Sequence, residues 1–476
     1  MHDPSISNLA RSPDLERNDG GDFLLNQTVQ SFSWQDLTVT VRDRETKKSR
    51  DLINAISGDA QHGELVALMG PSGCGKTTLL NVLARRAASS GAKVIGETYV
   101  NDSQADAKSF QRMTSYVEQE DALIGSLTVQ ETLKFAADLS LPRSVSKLQR
   151  MERIRTLLEA FGIQKQANTL VGTPIRKGIS GGQKRRVSVA SQLITCPKIL
   201  FLDEPTSGLD STASYEVISY ARELARANNL IIIASIHQPS TTTFKLFDKL
   251  LLLSSGRTCY FGRTEHVESY FDTIGYPVPL QTNPAEFLLD IVSSDFSGSK
   301  ELASERVQAI QNAWTESTQA ISVTKEISER VHSMEKAVNK SAMEDMTRPN
   351  GLSITLALLH RSFIKSYRDV VAYGIRIVMY LVLISILFSI VSYWLSNFQP
   401  TAEAFFTWVM WIFLDLVAAE SLVVLVTAIF PNFVIALALV AFANGLWMSV
   451  GGFLVTPTIL NPFWKYVFHY IDYQVC

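Results

Sequence analysis

A glycine-rich loop near the start of the chain places the strongest constraint on its fold. It fits the phosphate-binding pattern G-x-x-x-x-G-K-[ST], and its residues are Gly70, Pro71, Ser72, Gly73, Cys74, Gly75, Lys76, Thr77 and Thr78. The apolar run at 64–69 predicts a buried strand before the loop, and residues 79–86 predict a helix after it. In such a turn, backbone N–H groups and the helix N-terminus surround phosphate oxygens. We therefore predict a nucleotide site, with Lys76 at the β- and γ-phosphates and Thr77 as a ligand of Mg²⁺.

Two later apolar runs each end in polar side chains. The run at 199–202 is followed by Asp203 and Glu204, and the run at 230–236 is followed by His237. Because parallel strands of an α/β sheet bind ligands at their carboxyl ends, we expect these groups to meet the phosphate loop. Asp203 is then a ligand of Mg²⁺, Glu204 is the general base for the attacking water, and His237 contacts the γ-phosphate. The alternatives are a helix cap for the acidic pair and a structural role for the histidine.

A further segment indicates which class of nucleotide-binding protein this chain resembles. Residues 179–186 read I-S-G-G-Q-K-R-R, which resembles the signature of ATP-binding-cassette (ABC) proteins. Residues 204–210 resemble the D-loop of that family, and residues 116–121 resemble its Q-loop. The physics agrees with the resemblance, since serine is a good N-cap and two glycines let a helix N-terminus approach an anion closely.

The resemblance implies an ATPase that holds each ATP between two cassettes. The residues that it adds to the predicted ATP site are Gln119, Ser180, Gly181, Gly182, Gln183 and Asp210. It also implies that Gln119 contacts the metal, and that ATP and Mg²⁺ are the cofactors. In the family, the signature of one subunit meets the ATP on the phosphate loop of the other. This chain has one loop and one signature, so the implied partner is a second half-transporter, identical or different.

Further segments are similar to the G subfamily of ABC transporters, the white–brown type of half-transporter. The cassette precedes the membrane domain, and residues 127–133, 236–240 and 283–287 match segments of that subfamily. The tail at 388–473 resembles fungal members most. The resemblance implies export of a small hydrophobic substrate. This sequence differs from many ABC proteins where the adenine of the nucleotide is expected to bind. The strand at 37–41 is aliphatic, so we expect the adenine to pack on Val41 rather than on an aromatic ring.

The C-terminal part of the chain carries the apolar excess. Three stretches, at 375–394, 404–430 and 433–455, are long enough to cross a bilayer, which takes about 20 apolar residues each. Buried core helices are the alternative, but such helices rarely run so long with so few charges. Asp415 and Glu420 lie within the second stretch, where ionisable groups usually face a bundle interior or a cavity.

Basic residues flank the first predicted span. They are Arg361, Lys365, Arg368 and Arg376, and their excess predicts that the span begins on the cytoplasmic side. This orientation gives the cassette access to cytosolic ATP. We expect a multi-pass membrane protein, with the plasma membrane favoured over internal membranes.

The resemblance implies about six spans, whereas this chain has room for three. The first span joins the start of the family's first helix to the end of its third. The sequence therefore leaves two interpretations open besides a working exporter. One is a truncated, non-transporting ATP-binding subunit that pairs with a complete half-transporter. The other is a soluble-type ABC ATPase acting on ribosomes or DNA, although such proteins usually carry two cassettes and no spans.

The predicted domain organisation has four parts. Residues 1–30 form a disordered tail, and residues 31–297 form an α/β phosphate-loop cassette. Residues 298–350 form a helical linker, and residues 351–476 form a partial, all-α transmembrane domain. Within the last part, 354–367 predicts an amphipathic helix that contacts membrane lipid.

Charge and cysteine content exclude other classes. The net charge of −2 gives no electrostatic case for nucleic acid. The basic run at 184–186, with its neighbours at 176–177, is expected to be a solvated helix face. The four cysteines lack metal-ligand spacing. Cys74 lies within the phosphate loop, so we expect thiol modification to block ATP binding and ATP to protect the thiol.

Overall fold

The computed structural model describes most of the chain in two compact units, residues 1–364 and residues 365–476. The described residues are 22–42, 49–87, 91–120, 122–142, 144–173, 176–293, 300–334, 350–368, 381–396, 401–429 and 433–450. The strands are β1 (Ser31–Arg42), β2 (Ser49–Gln61), β3 (Leu65–Met69), β4 (Lys93–Val100), β5 (Thr114–Val117), β6 (Ile199–Leu202), β7 (Ile231–Ser235), β8 (Lys249–Ser254) and β9 (Arg257–Arg263).

Helices of the first unit surround these strands, and the described residues of the second unit are mostly helical. In chain order the helices are α1 (Lys76–Leu83), α2 (Ala107–Met113), α3 (Val129–Ser140), α4 (Lys147–Ala160), α5 (Gly181–Leu193), α6 (Ser211–Asn228), α7 (Thr241–Phe244), α8 (Val267–Thr273), α9 (Pro284–Ile291), α10 (Lys300–Glu316), α11 (Thr318–Met334), α12 (Gly351–Arg368), α13 (Leu383–Leu395), α14 (Ala402–Ile429) and α15 (Phe433–Val450).

A six-stranded sheet forms the centre of the first unit, in the order β5-β6-β7-β3-β8-β9. The first five strands run parallel, and β8 and β9 form an antiparallel hairpin. Every residue of β3, β6 and β7 is buried, as the continuous apolar runs at these places predict. The predicted α/β fold is confirmed. The carboxyl ends of β5, β6, β7 and β3 lie side by side at one edge.

A second, three-stranded antiparallel sheet has the order β2-β1-β4. Its aromatic residues pack inward: Trp34 is fully buried, and its ring lies 5.8 Å from Phe32 and 6.1 Å from Phe261, centroid to centroid. A Cβ on Gly58 would lie 2.6 Å from the indole ring, so only glycine fits opposite it. Trp34 is therefore a core residue and cannot stack on a nucleotide base.

The structure corrects the predicted extent of the N-terminal tail. Within the described residues of that tail, Leu24 and Val29 are buried. The Asn26 amide donates to the carbonyls of Val29 at 2.6 Å and Asn229 at 2.8 Å. These contacts fix residues 22–30 on the cassette, because two apolar anchors and a bonded amide outweigh the polar composition. Residues 1–21 of the predicted tail lie outside the described residues.

The predicted linker also differs from the structure. Helices α10 and α11 pack on the cassette, where Ile310 is fully buried and Trp314 is 7% exposed. The Trp314 ring lies 5.7 Å from that of Tyr260, and the Gln311 amide donates to the carbonyl of Ser254 at 2.8 Å. Scattered apolar residues in a polar sequence are enough to fasten these helices to the cassette. Residues 335–349 of the predicted linker lie outside the described residues.

The second unit contains one helix that is long and apolar enough to cross a membrane, judged on the described residues. This helix is α14, and it covers the predicted span at 404–430 except for its last residue. The apolar helices α13 and α15 are shorter and lie at the other two predicted spans. Those spans extend beyond the described residues at 375–380 and 451–455.

Candidate nucleotide site

The phosphate loop connects β3 to α1, as the sequence predicts. The helix begins at Lys76, three residues earlier than expected, because the lysine and both threonines form its first turn. Its N-cap is Gly75, which has φ of 104° and provides no side-chain cap. The N–H groups of the first turn thus lack a side-chain acceptor, an arrangement that favours binding of an anion.

The loop is held close to its own lysine. The Lys76 ammonium donates to the carbonyls of Gly70 at 2.7 Å and Pro71 at 3.1 Å, and the side chain is buried. A Cβ on Gly70 would collide with the Leu253 carbonyl, and the φ of 154° at this position also favours glycine. These contacts place a positive charge at the loop.

The Asp203 carboxylate accepts hydrogen bonds from three hydroxyl groups. They come from Thr77 at 3.2 Å, Tyr116 at 3.0 Å and Ser235 at 2.8 Å. The carboxylate and the Thr77 hydroxyl are oxygen ligands of the kind that Mg²⁺ prefers, and they belong to the two elements that meet the phosphates. The predicted pair Thr77 and Asp203 therefore fits a magnesium site.

Glu204 lies beside this group in a strained conformation. Its φ is 42°, a left-handed value that is uncommon outside glycine and is often found at functional sites. Its N–H donates to the Ser235 hydroxyl at 2.7 Å, and its carboxylate accepts from the Gln119 amide at 2.7 Å. The predicted general base and the predicted Q-loop glutamine are thus in contact.

His237 reaches the phosphate loop from the end of β7. Its Nε2 lies 3.3 Å from the hydroxyl of Ser72. The structure therefore brings together five predicted site residues from separate parts of the sequence. They are Lys76, Gln119, Asp203, Glu204 and His237, at the carboxyl ends of β3, β5, β6 and β7.

The signature segment lies at the start of α5. Ser180 is the N-cap, as predicted: its hydroxyl accepts from the Gln183 N–H at 3.3 Å, and the Gln183 side chain accepts from the Ser180 N–H at 3.0 Å. Asp210 caps α6 by accepting from the Ala213 N–H at 2.7 Å. Among the described residues, no hydrogen bond joins residues 180–183 to the phosphate loop of the same chain. Contact of these residues with ATP stays a prediction.

Comparison with known proteins decides the family. The family model described as ABC transporter matches residues 53–207, and two models described as ABC-2 type transporter match residues 237–372 and 346–475. ABC transporter G family member 1 of Petunia hybrida is 30% identical, over 98% of this chain and 85% of the relative. This chain belongs to the ABC transporter G family.

Other G-family relatives come from plants and Dictyostelium. Member 11 of Arabidopsis thaliana is 29% identical over 93% of this chain and 76% of its own length. Member 22 of Dictyostelium discoideum is 42% identical over 54% of this chain and 43% of its own length. A solved structure titled as cbiO1 of Clostridium perfringens, part of the cbiONQ ABC transporter complex, is 22% identical, with a TM-score of 0.42, and it covers 52% of this chain and 94% of that one. The predicted likeness to fungal members stays a prediction.

The family assignment confirms several expectations. This G-family chain is an ATPase of the type coupled to transport, it binds ATP, and it is a membrane protein with an ABC-2 domain. The family generally forms dimers. The soluble alternative acting on ribosomes or DNA is therefore wrong.

Sequence reasoning missed two residues of the G-family site. Tyr116 and Ser235 both donate to Asp203. Tyr116 begins the segment that resembles the Q-loop, but that resemblance gives it no role, and Ser235 lies in an apolar run outside any motif. Burial and the nearby Asp203 carboxylate raise the pKa of Tyr116, so its hydroxyl stays protonated and keeps donating. Their position in the sequence could have identified both residues, because each lies at or near the end of a strand that leads into the site.

The structure also corrects the predicted solvated face at 184–186. Arg185 is 2% exposed and Arg186 is 8% exposed, so both guanidinium groups lie inside the cassette. Arg186 donates to the Phe161 carbonyl at 3.1 Å and pairs with Glu216 at 3.3 Å. A run of basic residues at helical spacing cannot by itself reveal that its side chains fold inward onto carbonyl groups.

The Cys74 thiol lies beneath the phosphate loop. It is buried, and burial raises its pKa, although the nearby Lys76 charge acts in the opposite direction. Burial also raises the pKa of Cys259 to about 12. Val41, the predicted contact of the adenine, is half-buried on β1 opposite Arg50. That contact stays a prediction.

Proposed function

We propose that this chain is one half of an ATP-driven exporter, in which two cassettes enclose each ATP between the phosphate loop of one and the signature of the other. The observation that carries the proposal is the contact of Glu204 with Gln119 beside the Asp203–Thr77 pair. Glu204 and Asp203 follow β6, Gln119 follows β5 and Thr77 lies in the first turn of α1, so the proposed base, amide and metal-binding pair come from neighbouring segments of the fold.

Each side chain has a distinct task in the proposed reaction. The Lys76 charge binds the phosphates, and the Glu204 carboxylate accepts a proton from the attacking water. Gln119 donates to that carboxylate and holds its orientation, while His237 orients the γ-phosphate. Mg²⁺, held by Thr77 and Asp203, would supply positive charge to the phosphate oxygens, with Gln119 as a further contact.

The signature completes the site in the other subunit. Ser180, Gly181 and Gly182 begin α5, whose N-terminus is suited to an anion. We propose that Gln183 and Asp210 also act at this interface. The partner is a second half-transporter, either another copy of this chain or a different one.

We further propose a multi-pass membrane domain at 351–476, in the plasma membrane, that moves a small hydrophobic substrate outward. Helix α12 supports contact with lipid, because apolar side chains at helical spacing lie exposed along it. They are Leu352, Leu356, Leu359, Phe363 and Tyr367, each 58–75% exposed. Lys365 and Arg368 in its last turn suit an inner membrane surface.

A second candidate is a non-transporting subunit that pairs with a complete half-transporter. The comparison with the Petunia relative favours it: the alignment runs over 554 positions, while this chain has 476 residues. At least 78 positions, the difference between these numbers, therefore lie opposite gaps in this chain. A shortened membrane domain would account for them.

Transport by membrane vesicles tests both candidates. Inside-out vesicles containing the wild-type chain are given ATP, and uptake of lipophilic fluorescent compounds and ATP hydrolysis are measured together. Uptake that Glu204→Gln abolishes supports the exporter. Two results together support the second candidate. Vesicles with this chain alone hydrolyse ATP without uptake, and the uptake driven by a complete half-transporter is lost when this chain is co-produced with it. Unchanged hydrolysis by Glu204→Gln contradicts the assignment of the base.

A further inference from the structure

The guanidinium group of Arg185 lies at the centre of the cassette. The side chain belongs to α5, five residues after the signature serine, and is 2% exposed. Within the part of the chain that the structure describes, its nitrogens donate to the main-chain carbonyls of Glu118 at 2.8 Å, Gln119 at 2.9 Å, Asp203 at 3.3 Å, Glu204 at 2.8 Å and Pro205 at 3.1 Å.

These carbonyls belong to two segments that carry the hydrolytic side chains. One segment is residues 118–119 of the Q-loop, and the other is residues 203–205, which follow β6 directly. A buried charge is stable only when its hydrogen bonds are satisfied, and a guanidinium is planar with five donors in fixed directions. Arg185 therefore fixes the positions of Gln119 and Glu204 relative to α5 and to each other.

The same helix carries the signature at its N-terminus. Packing there is close: a Cβ on Gly181 would lie 3.3 Å from the Leu209 side chain, and a Cβ on Gly182 would lie 3.1 Å from the Ala213 Cβ. Ser180 and Arg185 are separated by five residues, about 7.5 Å along a helix axis. A displacement at the signature must therefore move the Arg185 contacts as well.

We propose that Arg185 is a positioning residue that couples the two ATP sites of the dimer. In the proposed dimer, on which this inference rests, the signature of a cassette contacts the ATP of its partner. Gln119 and Glu204 act on the ATP of the same cassette. Arg185 joins the two within one chain, so closure on one ATP sets the hydrolytic geometry at the other.

The next residue provides a matched control. Arg186 is on the same helix and is also buried, but it donates to Phe161 and pairs with Glu216. Among the described residues, it has no hydrogen bond to the Q-loop or to the end of β6. Arg186→Lys thus removes a buried guanidinium without touching the proposed coupling.

The test compares Arg185→Lys, Arg185→Gln and Arg186→Lys with the wild type, as full chains in lipid nanodiscs. Lysine keeps the charge but has three donors on one atom, and the Gln side chain has two donors, so both leave carbonyls unpaired. Melting curves identify a temperature at which every variant is folded. Binding of a fluorescent ATP analogue and the ATPase rate against ATP concentration are then measured.

We expect both Arg185 variants to bind the analogue like the wild type while kcat falls by about 10- to 100-fold. The Hill coefficient for ATP should fall from near two toward one, and glutamine should have the larger effect. Arg186→Lys should keep the wild-type Hill coefficient. Equal losses in Arg185→Lys and Arg186→Lys, or an unchanged Hill coefficient in Arg185→Gln, would overturn the inference.

The outcomes separate this inference from the proposed function. If Lys76→Ala leaves wild-type hydrolysis intact, the ATP site itself is wrongly assigned. If Lys76→Ala abolishes hydrolysis and the wild type is cooperative, but Arg185→Gln behaves like the wild type, only the coupling role of Arg185 fails.

Discussion

The hydroxyl of Ser235 connects the two acidic residues of the site. It donates to the Asp203 carboxylate at 2.8 Å and accepts from the Glu204 N–H at 2.7 Å. We expect Ser235→Ala to lower kcat by about 10- to 100-fold, because the Asp203 carboxylate and the main-chain N–H of Glu204 each lose a fixed partner. ATP binding should change little, since the phosphate loop is untouched. Steady-state ATPase assays and analogue binding measure the two effects.

Ser191→Ala is the matched control for Ser235→Ala. Judged on the described residues, the Ser191 hydroxyl donates only within its own helix, to the Ser188 carbonyl at 2.7 Å. The Ser191→Ala chain should hydrolyse ATP at the wild-type rate. A Ser235→Ala chain with normal kcat would show that the hydroxyl positions neither the Asp203 carboxylate nor the Glu204 backbone.

Burial of the Cys74 thiol predicts that its alkylation depends on pH. Its raised pKa leaves little thiolate at neutral pH, so alkylation of the native chain should be slow at pH 7. The rate should rise by about tenfold for each pH unit above pH 7, because the raised pKa keeps the thiol mostly protonated there, and saturating ATP should slow the reaction further. Mass spectrometry of the peptide containing Cys74 follows the reaction, with the denatured chain as control. Fast labelling at pH 7 that does not depend on pH would contradict the burial described here.

Motifs made the principal site residues predictable. Lys76, Asp203, Glu204 and His237 were found because strand ends of an α/β sheet converge, and this rule can be read from apolar runs. Ser235 and the buried Arg185 were not found. Their roles depend on which carboxylates and carbonyls lie across from them, and such contacts between distant segments leave no local pattern.

At the scale of elements, α10 is part of the cassette rather than a linker. We expect Trp314→Ala to lower the melting temperature of the cassette by about 10 °C, because the ring packs against Tyr260 and Tyr270. The melting temperature is measured by far-ultraviolet circular dichroism, whose signal comes mainly from the backbone rather than from tryptophan. Leu302→Ala is the control on the same helix: Leu302 is 68% exposed, so its loss should have almost no effect. Equal effects of the two changes would mean that α10 does not pack on the cassette.

Element boundaries were less predictable than element types. The strand and helix around the phosphate loop were predicted within a few residues, since apolar runs and glycines mark them. The packing of α10 was not predicted, because its buried residues are widely spaced among glutamates, serines and glutamines. Composition therefore indicated a helical linker between the domains, while a few large side chains determine where the helix lies.

At the scale of the whole molecule, one chain contains one phosphate loop and one signature, and no described hydrogen bond joins them. In the proposed dimer each ATP needs both, one from each chain. In the proposed exporter, closure of the cassettes drives movement of the substrate through the membrane domain. In the proposed dimer, both ATP sites are therefore composite, each built from two chains.

Mixed dimers test that claim most directly. Two differently tagged chains, both carrying Glu204→Gln, are purified as pairs, and retained ATP is counted after rapid gel filtration. In one pair Lys76→Ala and Gly181→Asp lie on different chains; in the other pair both changes lie on one chain. If each site is composite, the first pair retains one ATP and the second pair retains none. Equal retention in the two pairs would contradict composite sites, since each cassette would then hold ATP alone.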